Sequence, residues 1–213
     1  STRHEYPIAA VPHDTPRLPL GPTAVPGTYT VRLTVDGKTF TAPLTIKMDP
    51  RVKTSMAGLQ KKLASEVKLA SIMSETSHTL SEGASIRAQL SSLEPSASND
   101  VKNSITEFRK KLNSLLGAPG GFPAASQETT IGRVNGDAST LYQQIWQADT
   151  EPTSSQTEAL SSTEHASTEM LKRWSDFKDN DLPALNQLLR ATKAPEVHAE
   201  ADFHQDEPAM DEE

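Results

Sequence analysis

A chain of 213 residues has length for one large domain or two small ones, and 35% hydrophobic with 5% aromatic content favours an elongated bundle with much surface per residue over a compact enzyme domain. Its net charge of −7 is carried by residues 194–213, which hold eight acids and no Lys or Arg, while the rest has 20 acids against 21 bases; a basic face for nucleic acid is excluded. The lack of cysteine excludes disulfides, thiol nucleophiles and thiolate metal sites, and no apolar run approaches the roughly 18 residues that a membrane span requires.

The chain begins at Ser1 rather than Met, so a processed or truncated start is expected. Residues 1–27 contain Pro7, Pro12, Pro16, Pro19, Pro22 and Pro26. Proline at that density fixes φ and removes backbone donors, which predicts an extended arm. Tyr6, Ile8, Val11, Leu18 and Leu20 make the arm adhesive, and they are expected to lie on another surface; a mobile linker is the alternative.

Residues 28–50 read as a β-hairpin. Tyr29, Val31, Leu33 and Val35 alternate with Thr28, Thr30, Arg32 and Thr34, the pattern of a strand with one buried face. Asp36-Gly37 suits a tight turn with positive φ. Phe40, Ala42, Leu44 and Ile46 share one face of the return strand, and Pro43, which cannot donate to a ladder, belongs at an edge or bulge. The entry Pro26-Gly27-Thr28-Tyr29-Thr30-Val31 resembles the start of the penultimate strand of an immunoglobulin or fibronectin-type sandwich, where a tyrosine hydroxyl bonds back to the backbone. A hairpin alone is unstable in water. The missing strands are expected from an upstream part of the same polypeptide or from another protein chain. The alternative is that the hairpin packs on the root of the helices and needs nothing else. Asp49, before Pro50, reads as a turn or cap residue rather than a catalytic acid.

Residues 51–193 read as a helical bundle, with helices at about 54–93, 99–116, 128–149 and 153–192. The first is capped by Thr54 or Ser55, and Leu59, Leu63, Val67, Ala70, Met73, Ser77, Leu80 and Ala84 form its stripe, widened by Leu69, Ile72 and Ile86. Glu94 before Pro95 ends it. The second starts at an Asn99 cap, presents Val101, Ile105, Phe108, Leu112 and Leu115, and stops at Gly117. Residues 117–126 are a Gly- and Pro-rich loop around Phe122, without the lysine and preceding strand of a phosphate-binding loop. The third helix aligns Ile131, Val134, Ala138, Leu141, Ile145 and Ala148; Gly132 and Gly136 weaken it, and close approach to a neighbouring helix is the expected compensation. Thr153 and Gln156 form a capping box ahead of Leu160, Thr163, Ser167, Met170, Trp174 and Phe177. Pro183 breaks or kinks the run, which Leu185, Leu188 and Leu189 continue. The fold class is therefore α+β, mostly α: a hairpin as part of an immunoglobulin-like sandwich, then an elongated antiparallel four-helix bundle with two long and two short helices. The short pair covers the far half of the long pair, leaving a two-helix stalk next to the hairpin. The acidic tail, 194–213, carries metal-ligand residue types but no zinc or calcium spacing, and reads as solvated.

Tyr6-Pro7-Ile8, Asp14-Thr15-Pro16-Arg17, Gly27-Thr28-Tyr29, Met48-Asp49-Pro50-Arg51, Trp174 and Asp181-Leu182-Pro183-Ala184-Leu185-Asn186 with Leu189-Arg190 resemble the C-terminal region of bacterial secreted proteins built on a sortilin-like, BNR-repeat β-propeller, often labelled glycosyl hydrolases. The resemblance implies a secreted, periplasmic or cell-surface bacterial protein, with this region following the propeller as the end of a sandwich and a helical extension.

The function expected is a non-catalytic interaction or assembly module that docks through Tyr6, Ile8, Val11, Leu18 and Leu20 of the arm and Tyr29, Val31, Leu33, Phe40, Leu44 and Ile46 of the hairpin. The alternative is an accessory part of a glycoside hydrolase-like enzyme whose active site lies in the absent propeller. An adaptor bundle in a multiprotein assembly, with arm and tail as clamps, is a third possibility. No catalytic, cofactor-binding or metal-binding residue is expected in this chain. Paired carboxylates in a cleft are not evident, and His78 and His165 lie among serines without a Gly-x-Ser-x-Gly elbow.

Overall fold

The computed structural model describes residues 21–118 and 128–200. Strands β1 (Gly27–Val35) and β2 (Lys38–Ile46) are followed by helices α1 (Met56–Leu93), α2 (Asn99–Leu116), α3 (Ile131–Trp146), α4 (Ser154–Asp176) and α5 (Leu182–Ala191). A single 3-10 turn, Glu94–Ser96, separates α1 from α2, and a π-helical turn, Phe177–Asp181, joins α4 to α5. The described residues are mostly α with one antiparallel hairpin. The arm residues Tyr6, Ile8, Val11, Leu18 and Leu20, Phe122, and the tail beyond Glu200 lie outside the described residues.

The helix ends follow local chemistry. The Ser55 hydroxyl, not that of Thr54, accepts the Gly58 N–H at 3.1 Å and caps α1. Thr54 instead donates to the Asp149 carbonyl. Ser98, rather than Asn99, occupies the N-cap position of α2, and Gly117 at φ 93 ends that helix. The capping box of α4 is reciprocal: the Gln156 N–H donates to the Thr153 hydroxyl at 3.2 Å, and the Thr153 N–H to the Gln156 Oε1 at 3.0 Å. Pro183 falls in the first turn of α5. A proline there removes an i−4 hydrogen bond and crowds the preceding turn, and the π-helical widening at Phe177–Asp181 absorbs both effects without ending the helix. α3 stops at Trp146, so Ala148 is exposed and is not part of the buried stripe.

The chain divides into two compact units. One comprises Ser1–Ser74 and Gly136–Glu164: the hairpin with the first half of α1, most of α3 and the start of α4. Three helical segments therefore accompany the hairpin, where a two-helix stalk is expected from element lengths. Its core includes Leu59, Leu69, Met73, Leu141, Ile145 and Leu160.

The other unit comprises Glu75–Asn135 and His165–Glu213. All five apolar positions anticipated on α2 are buried, and Ile86, Leu90, Ile131, Val134, Met170, Trp174, Leu185 and Leu189 pack in the same core. Phe108 and Trp174 both lie against Phe177, with ring centroids 4.7 and 5.5 Å away.

The buried stripe of α1 differs from the anticipated one. Val67 is 51% exposed and Ala84 is also exposed, whereas Lys62, Glu66, Thr76, Thr79 and Glu82 are buried. Each helical half thus carries polar groups inward, and they are paired within their own unit. Asn135 donates to the hydroxyls of Thr76 and Ser77 at 2.8 and 3.0 Å. Among the described residues, no buried side-chain nitrogen or oxygen lacks a partner.

Close approach accounts for one of the two α3 glycines. A Cβ on Gly132 would stand 2.9 Å from the Leu116 carbonyl oxygen, while a Cβ on Gly136 would meet nothing within 4 Å. Gly136→Ala is expected to stabilise the protein by about 0.5–1 kcal/mol, because it removes backbone entropy from the unfolded chain without a clash. Gly132→Ala is expected to destabilise it, since backbone cannot move aside as a side chain can. Paired urea titrations of the two variants read opposite signs if this is correct.

Candidate functional site

Among the described residues, the hairpin carries most of the large exposed apolar side chains. Asp36 and Gly37 both have positive φ, 49 and 74, which makes the turn type I′ and matches the right-handed twist of the strands. The register pairs Tyr29 with Leu44, Val31 with Ala42 and Leu33 with Phe40. One face is therefore apolar from the Tyr29–Leu44 pair to the Leu33–Phe40 pair, with Lys38 opposite Val35 at the turn end. On the other, Thr28 faces Thr45, Thr30 faces Pro43, Arg32 faces Thr41 and Thr34 faces Thr39, with the last two hydroxyls 3.3 Å apart.

That apolar face is open. Val31 is 49% exposed, Leu33 58%, Phe40 59% and Leu44 46%. Tyr29 and Val35 are exposed as well, and Ile46 at the root is half-buried. The six hairpin residues expected to form a docking surface thus share one face, and five of them are exposed. Covering the six large exposed side chains would be worth on the order of 6 kcal/mol before the costs of association.

The two edges of the hairpin are not equivalent. A two-residue turn makes Val35–Lys38 a hydrogen-bonded pair, so alternation makes Thr30–Pro43 a non-hydrogen-bonded one. The nitrogen of Pro43 then faces away from β1, where its missing N–H costs the hairpin nothing but interrupts the outer edge of β2. The outer edge of β1, presented by Thr28, Thr30, Arg32 and Thr34, keeps every donor and is the more complete template for another strand.

The hairpin root carries local hydrogen bonds on both sides and a tie to α1 at Thr23. The Tyr29 hydroxyl donates to the Val25 carbonyl at 2.7 Å, the back-bond anticipated for a tyrosine at a sandwich corner. Ahead of it, the Thr23 N–H donates to the Glu66 carboxylate at 2.7 Å. Behind it, Asp49 accepts the Arg51 N–H at 2.9 Å and grips the Arg51 guanidinium. The Arg51 side chain first, and its N–H second, hold the Asp49 carboxyl below the usual range. Asp49 is a turn residue, as its position before Pro50 suggests.

Beneath this root lies a buried ion pair that sequence patterning does not single out. Glu66 is 0% exposed and Lys62 is 3% exposed, with Nζ and Oε1 3.4 Å apart. Lys62 also reaches Asp149 at 3.4 Å. On α3 of the same unit, burial first, and the negative charge of Glu66 second, push the Tyr142 phenol up to about 12. The unfolded phenol titrates near 10, so deprotonation is easier in the unfolded chain. The contribution is complete below pH 10 and is lost as pH rises through 12. Melts between pH 9 and 12 should show wild type losing stability more steeply than Tyr142→Phe.

In the other unit a shallow cleft of about 310 Å³ is lined by residues including Lys111, Arg173, Asp176 and Asp181. Its charges balance, and Lys111 is paired with Asp181 at 2.5 Å, so it offers little pull on an ionic ligand. Among the described residues no three His, Asp or Glu side chains gather as a metal set, and no helix is long and apolar enough to cross a membrane. No family model, curated protein or solved structure matches the chain.

Proposed function

We propose that this chain is a non-catalytic interaction module that docks through the apolar face of its hairpin onto a second β-structure. That structure is supplied by an upstream part of the same polypeptide or by another protein chain. The observation that carries the reading is the exposure of Tyr29, Val31, Leu33, Phe40 and Leu44 along one face of a strand pair with defined register and a pinned root. A free hairpin of this kind is marginal in water, and an uncovered apolar row on a sheet with open edges is a site for association. The resemblance to the C-terminal region of sortilin-like propeller proteins supports a secreted, periplasmic or cell-surface setting, in which the module joins a larger protein to its neighbours.

Sedimentation velocity over a concentration series, with dye binding alongside, tests this. Wild type is expected to self-associate or bind an apolar dye. The double variant Leu33→Thr/Phe40→Thr, which keeps β propensity on a directly paired rung, should be monomeric and dye-silent with unchanged helix content. A wild type that is itself monomeric and dye-silent overturns the proposal.

A further inference from the structure

Past α5 the chain does not leave the fold. Lys193 takes a left-handed turn at φ 58, and the Ala194 N–H returns to the Leu189 carbonyl at 2.9 Å. Residues 195–200 then run without helix or strand, and Val197 is 0% exposed. The solvated tail anticipated from residue 194 therefore starts with a docked segment.

What holds that segment is a pair of side-chain amides. Asn186 on α5 donates Nδ2–H to the Val197 carbonyl at 2.8 Å and accepts the Val197 N–H on Oδ1 at 2.8 Å. Gln89 on α1 does the same for the next residue, donating to the His198 carbonyl at 2.8 Å and accepting its N–H at 2.9 Å. An amide presents a donor and an acceptor side by side, as the edge of a β-strand does. Two such groups read the backbone of Val197 and His198, the Val197 side chain is buried, and Arg190 reaches the preceding Glu196 at 3.3 Å. With the segment in place Asn186 is buried, and both hydrogen-bonding functions of its amide go to the Val197 backbone.

We infer that Gln89, Asn186, Arg190 and the Val197 pocket form a receptor site for an extended peptide carrying an acid followed by a β-branched apolar residue, with Pro195–Glu200 as its resident ligand. The contacts named are made through the receptor's side chains, so the segment can be exchanged for a peptide of like chemistry without breaking a backbone ladder. While resident, it lowers the apparent affinity for an incoming peptide by the fraction of molecules in which the site is open.

The test uses the full chain and the blocked hexapeptide Pro-Glu-Val-His-Ala-Glu as probe. Val197→Asp empties the pocket, and the side-chain amide signals of Gln89 and Asn186 are followed by NMR as peptide is added. Saturable shifts of both amides in Val197→Asp are expected, with roughly 100-fold weaker binding to wild type if its site is open about 1% of the time, and none by a peptide with Asp in place of Val. If Val197→Asp loses helix content, Val197→Gly takes its place in the same titration. Amide signals that stay unmoved in a folded variant overturn the inference. So does unfolding of both variants, since the segment would then be part of the core rather than a ligand.

Discussion

Replacing Lys62 with methionine alone is expected to lower the unfolding free energy by about 3 kcal/mol, whereas Lys62→Met/Glu66→Leu should lie within about 1 kcal/mol of wild type. Glu66 has no exposure to water. Without the lysine its carboxylate keeps the Thr23 N–H and hydroxyl, at 2.7 and 3.4 Å, and no cation to balance a charge held out of solvent. Removing both charges leaves apolar residues of similar volume on a buried helix face. What remains lost is the anchor for Thr23, and with it one tie on the segment that leads into β1. Urea titrations of the two variants decide the matter: equal losses would mean that the contacts made by the lysine itself, not an unbalanced charge on Glu66, set the cost.

Trp174→Ala is expected to cost about 3–5 kcal/mol, and Trp174→Phe about 1–2 kcal/mol. The indole is buried and stacked on Phe177, and its Nε1–H donates to the Glu82 carboxylate at 2.7 Å. Lys178 lies 3.0 Å from both Glu82 oxygens and 5.7 Å from the Trp174 ring centroid. Alanine removes the stack, the donor and the cover over Glu82 together. Phenylalanine removes the donor and keeps an aromatic ring on Phe177. Because Phe177 opens the π-helical turn, the alanine variant should also raise hydrogen exchange across Phe177–Asp181, and the phenylalanine variant should not. Comparable losses from both variants would assign the energy to the hydrogen bond alone.

The parts of this fold that can be read directly from the chain are those whose chemistry is local. Alternation with Asp36-Gly37 defines the hairpin and its register, and strides of three and four define α2, whose anticipated face is buried in full. The Thr153–Gln156 box likewise needs only four residues. The stripe of α1 is different in kind. Its inward positions include Lys62, Glu66, Thr76 and Glu82, and their partners Asp149, Thr23, Asn135, Trp174 and Lys178 lie tens of residues away. Hydrophobic periodicity sees polar residues there and assigns them to water, which moves the stripe by one position towards Val67 and Ala84. The docked segment at Val197 escapes for the same reason, since the amides that hold it sit on α1 and α5 and the composition around it is acidic.

The candidate surface has a mixed legibility. Which side of the hairpin is apolar follows from sequence alternation alone. That the described helices leave that side exposed depends on where they lie, which element lengths alone do not fix: three helical segments, not two, share the unit with the hairpin. Of their inward polar residues, Glu66 on α1 holds the segment ahead of the hairpin at Thr23.

The central claim, that this face is free for a partner, is tested most directly by solvent paramagnetic relaxation of methyl groups in the dilute monomer. Val31, Leu33 and Leu44 should be broadened by a soluble nitroxide as strongly as a surface methyl, while Leu69 and Leu90, each 0% exposed, stay sharp. Hairpin methyls as protected as those of Leu69 and Leu90 would show the face closed over by its own chain and contradict the account.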